Sequence, residues 1–534
     1  MTESSPTDGP ASFETVGPED APRERRSRRR VLVGGVVLAV VTALGAGAYA
    51  AWSFLDGGGP QPADVLPSST VAVLSVDLDP SAGQKIAALR SLRTFPALRK
   101  SLGLNAQDDL RKFAFDKVMD QSDCHGLSFH DDVLPWLGKR AALAAVDLGQ
   151  PDPAPVVALQ VSDRQQAQRG FQALVDCTHP QDFGFAVGDD YLVASDSAAH
   201  AQAVLARGVK SPLAEDAAYR RWTDAAGDAG VLSFYVAPGA ARYGERLFDD
   251  LDSNLFDSRG GFTFDGGGST PSGPATDARP ALEHFRGLGG TVRFSDGGME
   301  VSVVGSADTA LKRVTPAGPE IARLPADTAV ALGLGGGNGL GAQLVDLFGL
   351  VAGFVGGHDQ AGADLADDVQ TLLSGTTTLS LGGHAPHSLS DVSGPDDVPL
   401  GLVLHGDAAK IKAAIARIED HIGLHLSDVP IAVQDSGDKV ALSTGGYGDE
   451  LLKDGTLGSR GGFRDAVPQA DRAGEILYVD FNSPWRDALA RELTVEGGRS
   501  AADFDDNTAP LRALGLSSWQ DGDVFHGLLE VTTD

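Results

Sequence analysis

The longest uninterrupted apolar stretch runs from Val31 to Leu55, with no charged residue in it. At about 1.5 Å per residue, a helix of that length crosses a hydrocarbon core roughly 30 Å thick. Arg23-Glu24-Arg25-Arg26-Ser27-Arg28-Arg29-Arg30 precedes the run and Asp56 follows it. An arginine cluster on one flank holds that flank in the cytoplasm. The pattern therefore predicts a single-pass protein of the cell membrane, with a cytoplasmic N-terminus and everything after Leu55 outside. Residues 1–30 are polar and without apolar periodicity, and read as a disordered cytoplasmic tail. Two other readings lead to the same export. Ala48-Tyr49-Ala50 before Ala51 has the small residues of a signal-peptide cleavage site, and Ser27-Arg28-Arg29-Arg30-Val31-Leu32 resembles a twin-arginine signal. The apolar run exceeds the usual signal core, which favours an uncleaved anchor.

Past a linker at 56–64, the pattern becomes short β-branched runs interleaved with helical spacing. Val71–Leu78 reads as a strand, and Ile86, Leu89, Leu92 and Phe95 after it fall on one helix face. Asp163 is placed to cap a helix that turns Ala167, Phe171, Leu174 and Val175 to one side. Gly188-Asp189-Asp190 and Gly297-Gly298 read as hairpin turns. The glycine-rich stretch from Arg259 to Pro280 reads as a long loop.

The same succession then returns. Leu66-Pro67-Ser68-Ser69-Thr70 is echoed by Leu324-Pro325-Ala326-Asp327-Thr328, and Ala141–Asp147 by Thr376–Gly382. Pro155–Val161 with Asp163 is echoed by Pro399–Leu404 with Asp407, and Tyr191–Ala194 by Lys439–Leu442. Val231–Val236 matches Ile476–Phe481, and Phe285-Arg286-Gly287-Leu288-Gly289 matches Leu511-Arg512-Ala513-Leu514-Gly515. Six pairs in one order predict an internal duplication, with lobe 1 at 65–312, lobe 2 at 318–534 and a Pro/Gly joint between them. The expected fold class is α+β: two homologous lobes with mainly antiparallel sheets, preceded by one N-terminal transmembrane helix.

Composition narrows the function. The 534 residues carry a net charge of −30, which disfavours nucleic acid and anionic headgroups as partners. Hydrophobic residues make up 42% of the chain, enough to bury real cores. The two cysteines, Cys124 and Cys177, both fall in the exported part, where disulfides persist. One bridge between them is the reading favoured here, against two separate buried thiols.

Chemistry-bearing patterns are sparse. Asp250-Leu251-Asp252-Ser253-Asn254 and Asp503-Phe504-Asp505-Asp506-Asn507 have the D-x-D-x-N spacing that opens a calcium loop. Asp250, Asp252, Asn254, Asp503, Asp505 and Asn507 are the candidate ligands, and calcium is the one cofactor the sequence offers. Both runs lack the glycine and glutamate that complete such a loop, so a solvated acidic loop is the competing reading. Gly333-Leu334-Gly335-Gly336-Gly337-Asn338-Gly339-Leu340-Gly341 lacks the lysine of a phosphate loop and reads as a permissive turn. His421 and His425 are spaced to share a helix face, and His384 and His387 lie close together, but neither pair has the glutamate of a zinc protease. The lone S-x-x-K, Ser436 to Lys439, falls at a strand turn, and there is no G-x-S-x-G. The span Leu340–Phe354 is apolar almost all round, as a buried helix or a docking surface would be.

Leu66-Pro67-Ser68-Ser69-Thr70-Val71-Ala72-Val73-Leu74-Ser75-Val76-Asp77-Leu78-Asp79-Pro80, Gln84-Lys85-Ile86 and Leu134-Pro135-Trp136-Leu137-Gly138-Lys139-Arg140 resemble an exported bacterial family, the domain of unknown function 3352. That resemblance implies a membrane-tethered protein with no assigned activity and no catalytic residues. The resulting expectation is a binding or scaffold ectodomain in the cell envelope. Its partners would be the bilayer, through the N-terminal helix, and an envelope protein, a cell-wall component or a lipid. The rivals are a lipid carrier and an exported enzyme whose site assembles only in three dimensions.

Overall fold

The structure, a computed structural model, describes residues 60–77, 110–243, 285–306, 315–336, 367–384, 392–495 and 508–534, apart from a few single positions. The predicted anchor at 31–55 lies outside these residues, as does the glycine-rich loop. Among the described residues no helix is long and apolar enough to cross a membrane.

The chain is a mixture of helices and antiparallel strands. The strands of the first half are β1 (Thr70–Asp77), β2 (Leu137–Val146), β3 (Ala154–Val161), β4 (Gly184–Val187), β5 (Tyr191–Ser195), β6 (Leu232–Val236), β7 (Leu288–Ser295) and β8 (Gly298–Ser306). Those of the second half are β9 (Val330–Leu334), β10 (Thr377–Leu381), β11 (Leu400–His405), β12 (Ala432–Ser436), β13 (Lys439–Ser443), β14 (Glu475–Asp480), β15 (Leu511–Asp521) and β16 (Val524–Thr533). The helices used below are α1 (Leu110–Asp120), α2 (Arg164–Thr178), α3 (Ala198–Gly208), α4 (Ala217–Ala226), α5 (Ala408–Ile422), α6 (Gly461–Ala466) and α7 (Trp485–Val495).

Among the described residues the sixteen strands form one sheet, ordered β12-β13-β11-β10-β9-β14-β15-β16-β8-β7-β6-β1-β2-β3-β5-β4. Read from either end, the order is the same for eight strands and meets at β8 and β16. These two pair antiparallel from Val524↔Ser306 to Thr532↔Gly298. The sequence predicted sheets lobe by lobe; the structure joins them into one, because each half ends in a long hairpin whose last strand accepts the other.

Local details recur between the halves. Thr70 donates its hydroxyl to the Pro67 carbonyl at 2.7 Å, and Thr328 to that of Pro325 at 2.8 Å. Leu213 N–H donates to the Leu66 carbonyl, and Leu457 N–H to that of Leu324. The helices α2 and α5 each have fifteen residues and an aspartate cap: Asp163 accepts from Gln166 N–H, and Asp407 from Ala409 and Lys410 N–H. Tyr235 and Tyr478 are both buried, each with a ring edge-on to a helix aromatic at 5.2 Å, Tyr219 and Phe463 respectively.

The strand registers correct the sequence-based matching. By strand position Tyr235 of β6 corresponds to Tyr478 of β14, so Val231–Val236 is displaced by two residues from the match with Ile476–Phe481. A shift of two keeps every side chain on its own face, so hydrophobic alternation cannot detect it. The matches for β2 and β3 are displaced by one. At the β7–β8 hairpin, Ser295 pairs with Gly298, so Gly298 belongs to the strand and not to the turn.

Helices cover the sheet unequally. On one face, α3 and α4 bury Trp222, Tyr191, Val193 and Val304 in the first half. On the same face α6 and the turn around Tyr447 bury Phe463, Tyr478, Val403 and Ala441 in the second. On the opposite face, α2 packs over Leu159, Leu192 and Val187 at one end of the sheet, and α5 over Leu402, Leu404 and Val440 at the other.

Candidate functional site

The candidates raised by the sequence do not converge. Asp250, Asp252, Asn254, Asp503, Asp505 and Asn507 lie outside the described residues, as do His387, Leu340–Phe354 and the glycines beyond Gly336. Among the described residues no group of three His, Cys, Asp or Glu side chains is placed to hold a metal ion. His421 and His425 do not share a helix face: α5 ends at Ile422 and Gly423 takes a left-handed conformation, so His425 lies past the cap. A helix-face pair needs an unbroken turn between its members, and the glycine cap removes it. His384 is exposed and bonded to Asp327 at 2.7 Å. Ser436 and Lys439 close the two-residue turn between β12 and β13, so the serine opens no helix. Cys124 and Cys177 are joined in a disulfide with a Cα–Cα distance of 5.3 Å, which ties α2 to the segment after α1.

Two other features stand out. The first is the sheet face that carries α2 and α5. A single cross-strand row runs along it through every strand: Val433, Leu442, Leu402, Leu379, Leu332, Leu477, Leu516 and Leu529 in the second half. It continues without a break through Val301, Val292, Leu232, Val76, Ala141, Leu159, Leu192 and Val187. Every member is apolar. Leu159, Leu192 and Val187 lie against α2, and Leu402 and Leu442 against α5, while the members between Leu379 and Leu516 are partly exposed. Leu516 is 46% exposed and Leu379 39%. Leu400, Val433 and Phe525, also among the exposed large apolar residues, project from the same face. Clustering of this kind on one face marks a binding surface more than a scatter of single exposed leucines does.

The second feature lies on the other face, where the halves meet. Glu300 of β8 and Glu530 of β16 stand directly opposite each other. Arg293, across the β7–β8 hairpin from Glu300, is ion-paired to it and also donates to the Asp228 carbonyl at 3.0 Å. Burial, and next the charge and hydrogen bond of Glu300, push the Glu530 carboxyl up to about 8, against the pull of Arg293. Two carboxylates sharing one guanidinium at a half-buried site favour keeping one proton between them. The equivalent position of the second hairpin, also two residues back from the turn-closing pair, holds Trp519 and His526 instead, stacked at 5.0 Å under Arg472. The charged cluster is therefore present on only one side of the joint. Nothing in the sequence pointed to it, since Glu300 and Glu530 each read as an ordinary polar position in an alternating strand.

Residues 31–185 match the family model described as "Protein of unknown function (DUF3352)". No curated protein matches the chain.

Proposed function

We propose that this chain, whose residues 31–185 match the DUF3352 family model, is a membrane-tethered binding protein of the cell envelope that holds acyl chains against the open face of its sheet. One observation carries the reading: the unbroken apolar row with its exposed middle, flanked by helices at both ends. An acyl chain is the ligand that such a surface fits, because it offers apolar area and asks for no polar partner. The charge-free run Val31–Leu55 supports the tether, since it would keep the domain beside a source of acyl chains. The net charge of −30 argues for engagement through the acyl part of a lipid and against an anionic headgroup. The common strand order and the paired threonine turns support descent of the two halves from one duplicated unit.

The test is photocrosslinking in cells fed a fatty acid with a photoactivatable tail. The label is expected on peptides of β9 and β14 to β16, and to be lost in Leu379→Asp and Leu516→Asp variants that retain their native melting behaviour. Label confined to residues 31–55, and unchanged in both variants, would show that the only lipid contact is the anchor and would sink the proposal.

A further inference from the structure

We propose that Glu300 and Glu530 form a shared-proton lock across the joint between the two halves, holding β8 to β16 while one carboxyl is protonated and loosening that pairing when the proton leaves. The two carboxylates are directly opposed on neighbouring strands, on the face that carries α3, α4 and α6. Among the described residues the guanidinium at the pair is that of Arg293, engaged with Glu300 and with the Asp228 carbonyl. A protonated Glu530 can donate to Glu300, adding a charge-assisted hydrogen bond across the joint. Once the proton is released to solvent, two like charges face each other with a single positive charge between them, and like charges directly opposed across strands destabilise their pairing.

Among the described residues, the charged groups on the elements packed around Glu530 are these. On β16 the next titratable group on the same face is His526, which stacks on Trp519 and lies opposite Val304. From α4 the charged residues are Arg220, Arg221 and Asp224, of which Arg221 is paired with Asp523 at 2.7 Å. From α6 they are Arg464 and Asp465, and Asp465 is paired with Arg512 at 3.0 Å. The groups acting on the Glu530 carboxyl are Glu300, which raises it, and Arg293, which lowers it. The sign follows from linkage. The folded chain holds a proton that the opened chain releases at ordinary carboxylate pH, so the joint weakens as pH rises.

Amide exchange on the full chain, corrected for the chemical pH dependence of exchange, reads the joint directly. Protection of β8 and β16 is expected to fall about tenfold between pH 7 and pH 9 relative to Glu530→Gln, which cannot ionise. Glu300→Gln leaves Glu530 alone with Arg293 and is expected to flatten the dependence as well, so one variant serves if the other fails to fold. An infrared carboxylic-acid band present at pH 7 in the wild type and missing in Glu530→Gln would identify the proton. A wild-type pH profile identical to that of a folded Glu530→Gln chain, or the same band in both, would overturn the proposal.

Discussion

Two threonines do the same work twice. Thr70 and Thr328 are buried, and each hydroxyl donates to the carbonyl of a proline three residues back. Losing such a hydrogen bond costs about 1 kcal/mol. Thr70→Val and Thr328→Val are therefore expected to destabilise by equal amounts in denaturant melts, and a marked inequality would show that the two turns are not equivalent. This motif was legible because its donor, acceptor and proline sit within four residues. Gly515 was not. It faces α6, where an added Cβ would come within 2.0 Å of the Ala466 carbonyl oxygen. Gly289 meets the Trp222 carbonyl in the corresponding place, at 3.0 Å. Gly515→Ala is expected to cost about 3 kcal/mol, and Gly289→Ala distinctly less, as read from unfolding midpoints. A glycine's role there depends on a helix some fifty residues away, which no local pattern contains.

At the scale of elements, α2 and α5 were visible from an aspartate followed by apolar residues at helical spacing. Their caps and lengths repeat because the same start signal precedes each. What distinguishes them is the disulfide. Cys177 near the end of α2 is bonded to Cys124, 53 residues earlier, with no counterpart in α5. A loop of that length corresponds to about 4 kcal/mol of lost chain entropy in the unfolded state. Cys124→Ser is expected to lower the melting temperature in non-reducing buffer by several degrees, and to have little effect in excess reductant. In intact cells both thiols are expected to resist alkylation until a reductant is added. Ready labelling without reductant would place the domain in a reducing compartment and contradict the export reading.

For the molecule as a whole, the alternation along each strand told which side chains share a face. It could not tell which strand lies next door. The β8–β16 pairing joins residues more than two hundred positions apart, and both strands look like ordinary ends of hairpins. The same holds for the apolar row, whose members are unremarkable one at a time and become a surface only when fifteen registers are aligned. At about 4.8 Å between strands the row spans roughly 70 Å, longer than a single acyl chain.

The joint has one more consequence, and it concerns solubility. Two separate eight-stranded sheets would expose four unpaired rows of backbone N–H and C=O groups. Among the described residues the joined sheet has two, on β4 and β12, which have only four and five residues. Short edges of this kind template poorly for intermolecular strand addition. The strands hidden at the joint are the opposite: β8 has nine residues and β16 ten, with valines and leucines along both. Opening the joint would uncover the two most adhesive edges in the molecule at once, so conditions that loosen it should be read first as turbidity, before any loss of helix.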